Sequence, residues 1–355
     1  MRVALAIGDA GGIGPELAAQ MVSDRAHHAN DTIVLGDKRL LARGAASANI
    51  TLDIPTYTVD SLGSDLPDGT FMVDLRNCDP GSAPVGEATE NGGRAALQNF
   101  RAALLACSAG YADVTFFTPF NKHAMRLAEA DYVDEIGFID RTIESTRSGR
   151  EFNVLEEVWN ARVTSHVPLR EVVGLLSEQR VFDSLRFTDE VMRAAGFEKP
   201  RIGVAALNPH AGDGRNFGDE DEDMLAPAVK RAIDAGVDAT GPIPSDTVFV
   251  RAVRGEFDAV LTLFHDQGQI AMKLIGFDRG VTLIAGYPFP IVTPAHGTAY
   301  DIAGQGIADT GATANAIALG RQLAMRLPRS MDAGKPDAPF RDLLKRRLPN
   351  LAVPA

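Results

Sequence analysis

Cysteine occurs only twice in the 355 residues, as Cys78 and Cys107, and no C-x-x-C pair is formed. That excludes a disulfide framework and a zinc-finger type of structural site. Tryptophan occurs once, as Trp159 in "EEVWNARV", where it reads as a packing residue rather than a stacking platform. No apolar run approaches the roughly 20 residues that a bilayer span requires. The opening "MRVALAIGDAGGIGPE" has a single basic residue, and its apolar run is broken at once by Gly8 and Asp9. It reads as a first strand and not as a signal peptide. Positive charge is in deficit, with 35 Lys and Arg against 47 Asp and Glu and a net charge of −12. This argues against non-specific attachment to nucleic acid or to a membrane surface. The chain reads as soluble and cytoplasmic, with a small molecule as its substrate. Internal repeats, low-complexity tracts, the G-x-G-x-x-G fingerprint and H-E-x-x-H are all absent.

The length exceeds one ordinary domain, so two lobes are expected. Hydrophobic residues make up 45% of the chain, enough to fill two cores. Short apolar runs alternate with alanine-rich amphipathic segments. "RVALAIG" leads to "GPELAAQMVS", and "TIVLGD" to "KRLLARGAAS"; "ADVTFFTPF", "RIGVAAL", "DAVLTLF" and "GVTLIAG" follow. The alternation predicts an α/β fold with a parallel or mixed sheet. Residues 56–92 read as loops and short strands. The tail after about residue 328 reads as a surface extension, with "RDLLKRRL" as one last helix.

Polar residues gather where the apolar runs end, the place where open α/β sheets bind ligands. "RIGVAALNPHAGDG" delivers Asn208, His210 and Asp213, "DAVLTLFHDQGQIAMK" delivers His265, Asp266 and Lys273, and "ARVTSHVPLREV" delivers His166. "VTFFTPFNKHAM" delivers Thr118, Asn121 and Lys122. A single histidine in such a place is most often a hydrogen-bonded structural residue. Three together are equally compatible with a catalytic metal, which takes three protein ligands and keeps one position open. His27 and His28 read as solvated surface, and His123 as a partial helix cap. In "GDAGGIGPE", Gly12 and Gly14 allow close backbone approach ahead of a helix that starts at Pro15, a place where a phosphate can be received. In "PAHGTAYDIAGQGIAD", Asp301 is placed to accept from both ribose hydroxyls, which would favour NAD over NADP. Taken alone, that stretch reads rather as an ordinary glycine-rich connection between packed helices.

Together, "GDAGGIGPE", "TPFNK", "SHVPLREV", "NPHAGDG", "DTVF", "HDQGQIAMK" and "HGTAYDIAGQGIAD" occur in the order found in the 4-hydroxythreonine-4-phosphate dehydrogenase (PdxA-like) family, which the chain resembles from about residue 3 to 325. "GIGPE" and "HGTAYDIAG" are also similar to the wider isocitrate and isopropylmalate dehydrogenase superfamily, in which the second loop holds the adenosine half of NAD. The resemblance implies a two-lobed α/β homodimer with its active site in the cleft between lobes, completed across the dimer interface. The first lobe would comprise 1–130 with 300–328, the second 131–299, and 329–355 would be an extension. The resemblance further implies a divalent metal, zinc first among them, on His166, His210 and His265. NAD would lie on Gly12, Gly14, His296, Gly297, Ala299 and Asp301. Asp246 and Asp266 are the candidate proton acceptors, and Lys273 the group for charge stabilisation or proton delivery. Asn208 would face the substrate.

In two places the chain departs from that family. Where the family carries Gly-His-Thr-Glu on a phosphorylated substrate, "VDEIGFIDR" puts Glu135 and Ile136. Where it carries an asparagine and an arginine, this chain has Thr282 and Ile291. A carboxylate and an aliphatic group in those places would unmake a phosphate site. The reading that follows is an NAD-dependent decarboxylating dehydrogenase for a non-phosphorylated cis-dihydrodiol carboxylate, such as terephthalate 1,2-cis-dihydrodiol. Its far carboxylate would be held by Arg141, Arg147, Arg162 or Arg279. The alternatives are a dehydrogenase for 4-phosphohydroxythreonine or another phosphorylated four-carbon hydroxy acid, and a non-catalytic NAD- or metal-binding regulator.

Overall fold

The structure is a computed structural model that describes residues 1–23, 31–327 and 338–348. The expectation for His27 and His28 falls outside these residues. The chain forms two compact units, Met1–Arg150 with Leu283–Ala355, and Glu151–Thr282. The sequence reading placed the crossings at 130/131 and 299/300. Packing moves both into the expected second lobe, because Phe138 stacks on Phe100 at 5.6 Å and Phe289 and Ile291 belong to the same buried cluster.

The first unit runs β1 (Val3–Ala6), α1 (Gly14–Ser23), β2 (Thr32–Gly36), α2 (Lys38–Ser47), β3 (Thr56–Thr58), β4 (Phe71–Asp74), α3 (Glu90–Ser108), β5 (Val114–Phe117), α4 (Lys122–Ala128) and α5 (Glu135–Ile143). The second contains β6 (Arg150–Val154), β7 (Trp159–Arg162), α6 (Leu169–Leu175), α7 (Glu178–Ala194), β8 (Arg201–Ala205), α8 (Ala226–Asp234), β9 (Asp238–Ile243), α9 (Ser245–Val253), β10 (Ala259–Thr262) and α10 (His265–Gly276). Then β11 (Val281–Ala285) leads back to β12 (Ile291–Pro294), α11 (Gly311–Arg326) and α12 (Phe340–Arg347) in the first unit.

Within the first unit the strands lie in the order β3-β4-β2-β1-β5-β12, all parallel. "VALA", "TIVLG", "FMVD" and "VTFF" are buried at every position. Continuous burial is what a parallel sheet covered on both faces demands. The chain winds one way from β1 to β2 and the other way from β1 to β5, so the order reverses at the C-terminal ends of β1 and β5. A ligand crevice belongs there. In the second unit the order is β6-β7-β10-β8-β9, with β6 antiparallel to β7 and the others parallel.

Helix starts follow side-chain capping. Asp37, Thr89, Asn121, Asp134 and Ser177 each accept a hydrogen bond from a backbone N–H of the first turn that follows. Asn121 therefore caps α4, and His123 merely sits in its first turn. Trp159 packs edge-on against Phe152 and Phe197, as a core residue does. Both cysteines are free and buried, and burial pushes the Cys107 thiol up to about 12. The C-terminal segment corrects the sequence reading. The helix is present, but Phe340, Leu344 and Leu348 are buried in the first unit's core, so α12 is docked rather than superficial.

Candidate active site

In the first unit, β1 ends in Gly8 and Asp9, β5 in Thr118 to Lys122, and β12 runs on to His296 and Tyr300. These are the C-terminal ends of three neighbouring parallel strands. The Asp9 carboxylate is 1% exposed. It accepts from the Tyr300 hydroxyl and, at 3.4 Å, from the Gly11 N–H. Burial raises its pKa above the ordinary aspartate value, and burial and then Asp9 itself hold the Tyr300 hydroxyl protonated.

The loop from His296 to Ala308 lies against the start of α1. Ile13 N–H donates to Thr298 O at 3.0 Å. Buried Glu16 accepts from Gly304 N–H at 3.3 Å and Ala308 N–H at 3.1 Å. Gly12 is required by this approach, because a Cβ there would come within 2.8 Å of Thr298. Both glycine-rich stretches singled out in the sequence are therefore brought together, with Gly12 against Thr298, while Gly14 lies against Thr118 and the Asp9 carbonyl. Gly297 faces open space, and Asp301 is exposed. The His296 Nδ1 atom lies 3.1 Å from Gly297 O, while its Nε2 atom is buried without a hydrogen-bond partner. An orphaned imidazole nitrogen beside an open glycine and an exposed carboxylate suits a nucleotide with ring nitrogens and ribose hydroxyls. The residues present fit a dinucleotide.

Glu135 opens α5, and the Lys122 ammonium lies 3.0 Å from its carboxylate. The buried Tyr132 hydroxyl is held protonated, first by burial and then by the Glu135 charge. Glu135 is thus neutralised rather than left as a bare like charge. Ile136 packs against the core cluster, and Ile291 is wholly buried within it, opposite Thr115 of β5. Ile291 is a core side chain in this fold and presents no surface to a substrate ring. The two departures on which a non-phosphorylated substrate was inferred lose their force.

In the second unit, β7 and β10 are parallel neighbours with Arg162 opposite Thr262. Their continuations deliver His166 and His265, whose rings lie 5.5 Å apart. Two imidazoles on one tetrahedral ion with bonds of about 2.1 Å take a ring separation of roughly 5 Å. His265 is the first residue of α10, and its Nδ1 atom lies 2.7 Å from Asp266 Oδ1. An adjacent carboxylate of this kind fixes the tautomer and orientation of an imidazole. His210 lies in a short turn after β8, exposed and with φ +54°. Among the described residues no group of three His, Cys, Asp or Glu side chains is placed to hold a metal. Within the second unit His166 and His265 are therefore brought together, and His210 does not join them in a three-ligand group among the described residues.

Asp246 is exposed in the first turn of α9. Lys273 is eight residues beyond His265, roughly 12 Å along the helix axis, with its ammonium 5.9 Å from the Phe277 ring centre. Asn208 donates to Glu220 at 2.8 Å. Thr282 accepts from Asn153 at 3.4 Å, and the same Asn153 accepts from Arg162 and from Gln269, the latter at 2.7 Å. Arg162 is buried and paired with Glu151 at 2.8 Å. Of the four arginines considered for a far carboxylate, it is thus already neutralised, as is Arg279 by Glu157 at 2.6 Å. The sequence reading passed over Asp9, Glu16 and Tyr300. All three lie inside quoted motifs, and only their pairing across the chain was hidden.

An α/β fold with polar clusters at the ends of parallel strands is a ligand-binding arrangement, and known proteins say of which kind. Residues 28–320 match the family described as pyridoxal phosphate biosynthetic protein PdxA. The chain belongs to the PdxA family. A protein of Rhizobium meliloti (strain 1021) with the provisional name 4-hydroxythreonine-4-phosphate dehydrogenase 2 is 50% identical over 91% of this chain and 93% of its own. The D-threonate 4-phosphate dehydrogenase of Salmonella typhimurium is 33% identical over 91% and 98%. Among solved structures, the 4-hydroxythreonine-4-phosphate dehydrogenase of Klebsiella pneumoniae matches with a TM-score of 0.76 at 32% identity, covering 91% of this chain and 98% of that one. A terephthalate 1,2-cis-dihydrodiol dehydrogenase from Burkholderia xenovorans LB400 matches less well, with a TM-score of 0.60 at 26% identity over 91% and 98%. The relatives are dehydrogenases, and this chain is an oxidoreductase.

Proposed function

We propose that the protein is an NAD-dependent dehydrogenase for a phosphorylated four-carbon hydroxy acid of the D-threonate 4-phosphate or 4-hydroxythreonine-4-phosphate type. This replaces the cis-dihydrodiol reading. The observation that carries it is the Lys122–Glu135 pair, which removes the like-charge objection to a phosphate. The names of the nearer relatives favour the same substrate class, and one more distant structure favours the diol.

In this reading the first unit binds the dinucleotide. Asp301 accepts from the ribose hydroxyls, and Gly12, Gly14, Gly297 and Ala299 let the backbone come close. In the second unit His166 and His265 face the substrate hydroxyl, and Asp266 orients His265. Asp246 or Asp266 takes the hydroxyl proton, and Lys273 steadies the charge that develops on oxygen. When bound, NAD accepts the hydride, and a divalent metal lowers the hydroxyl pKa. The third ligand in this reading is His210 of a second copy, since one chain does not bring it to the other two. Oxidation of a hydroxyl β to a carboxylate yields a β-keto acid, from which CO2 departs readily.

The test is NADH formation with added divalent metal, comparing D-threonate 4-phosphate and 4-hydroxythreonine-4-phosphate with terephthalate cis-dihydrodiol. Turnover confined to the phosphorylated acids is the expected result. Turnover of the diol alone would return the reading to the aromatic branch.

A further inference from the structure

Between Thr298 and Tyr300 the backbone does something an alanine avoids. Ala299 has φ +43°, in the left-handed region where a Cβ crowds the adjacent carbonyl. Such a conformation persists only where its flanks are fixed. On one side Thr298 O accepts from Ile13 N–H at 3.0 Å. On the other, the Tyr300 hydroxyl donates to Asp9, 291 residues earlier. Asp9 has little else. Its remaining donor is the Gly11 N–H at 3.4 Å, and the Arg43 guanidinium nearby is bound to the carbonyls of Ala10 and Ala83. A buried carboxylate with so few donors holds tightly to the one that reaches it.

We propose that Tyr300 is a positioning residue for the dinucleotide: its bond to Asp9 locks Ala299 in the left-handed conformation and so sets the direction in which Asp301 and His296 are presented. The proposal rests on the NAD reading. Without the lock, Ala299 relaxes to negative φ, and the peptide that carries Asp301 turns away from the ribose. The loop is then competent only part of the time, and apparent affinity falls by that fraction. The fastening of Gly304 and Ala308 on Glu16 lies beyond Asp301, and the bond from Ile302 N–H to Ala299 O at 3.2 Å closes the turn that follows but leaves the φ of Ala299 to the anchors on either side of it.

Tyr300→Phe keeps the ring and removes the bond to Asp9, together with the hydroxyl's weaker contact with Asn121. NAD+ binding by calorimetry, without substrate, is expected to weaken about tenfold, as loss of a hydrogen bond to a charged acceptor implies. Hydrogen exchange at residues 299–303 is expected to speed up. Adding Ala299→Gly to Tyr300→Phe should recover most of the affinity, because glycine occupies positive φ without penalty. A general loosening of the fold would not be repaired by that second change. Should Tyr300→Phe fold poorly, Ala299→Val in the intact chain serves instead, and is expected to weaken NAD+ by the same route. Unchanged NAD+ affinity in Tyr300→Phe, or a double variant no better than the single one, would overturn the proposal. A wild-type protein that does not bind NAD+ would sink the cofactor reading. In that case unchanged exchange at 299–303 in Tyr300→Phe would sink the lock as well.

Discussion

Glu135 illustrates how a residue's meaning depends on its neighbour. As a letter in "VDEIGFIDR" it is a carboxylate where a relative has an imidazole, and it argues against phosphate. Beside Lys122 it is half of an ion pair. Lys122→Met should leave that partly buried charge without its partner and raise KM for a phosphorylated substrate at least tenfold, with a smaller change in kcat. Adding Glu135→Gln should recover part of the loss, as coupled neighbours do. Steady-state kinetics on the two variants and their combination would check this. Asp37 offers a test of a different kind. Burial alone would raise its pKa, but the Arg39 guanidinium and the N–H groups of Arg39 and Cys78 outweigh burial and lower it. Its contribution is therefore fully present above the ordinary aspartate value and lost as pH falls through its own lower pKa. Asp37→Asn should reduce stability at neutral pH, with the deficit shrinking in acid; chemical denaturation at several pH values would show it. At this scale the sequence shows which residues carry chemistry and leaves open what each one touches. Asp9 and Tyr300 stand in recognisable motifs, but their bond spans most of the chain.

Among the elements, periodicity was easy to read wherever one rule dominated. "GPELAAQMVS" and "KRLLARGAAS" are α1 and α2 residue for residue, and "TIVLG" is β2. Buried parallel strands are continuous apolar runs, and the helices between them have polar faces, so the two cannot be confused. The tail was harder. Phe340, Leu344 and Leu348 recur every four residues, which is a buried stripe, but four basic residues share the segment and suggest a solvated surface. The structure resolves this by turning the basic residues outward. Lys345 pairs with Asp60 at 2.6 Å, and Arg347 with Glu144 at 2.9 Å. Phe340→Ala would empty a fully buried site, so a loss of about 3–5 kcal/mol is expected, measured by denaturant unfolding. A loss below about 1 kcal/mol would mean that α12 is not part of the core.

For the whole molecule, the α/β class was legible from the alternation of elements, and the family from the order of its motifs. The boundaries between units were not, since aromatic stacking across long separations decides them. The three histidines show the same limit. Strand adjacency explains why His166 and His265 meet, and nothing in their spacing could show that His210 would stand apart. A second copy would supply it in the proposed assembly. The helix that carries His265 has a face suited to such an encounter, for Ile270, Leu274 and Phe277 are all exposed, Leu274 to 83%. Leu274→Asp is expected to shift a dimer to monomer in light scattering and to abolish turnover with it. A monomeric wild-type protein of full activity would remove the second copy from the account.

The measurement that bears most directly on the central claim is kcat/KM for D-threonate 4-phosphate against D-threonate itself, with NAD+ and divalent metal at saturation. The expected result is a preference of at least about a thousandfold for the phosphorylated acid, the order of discrimination that a built charged site provides. Equal rates for the two acids would contradict it, because the protein would then draw nothing from the phosphate.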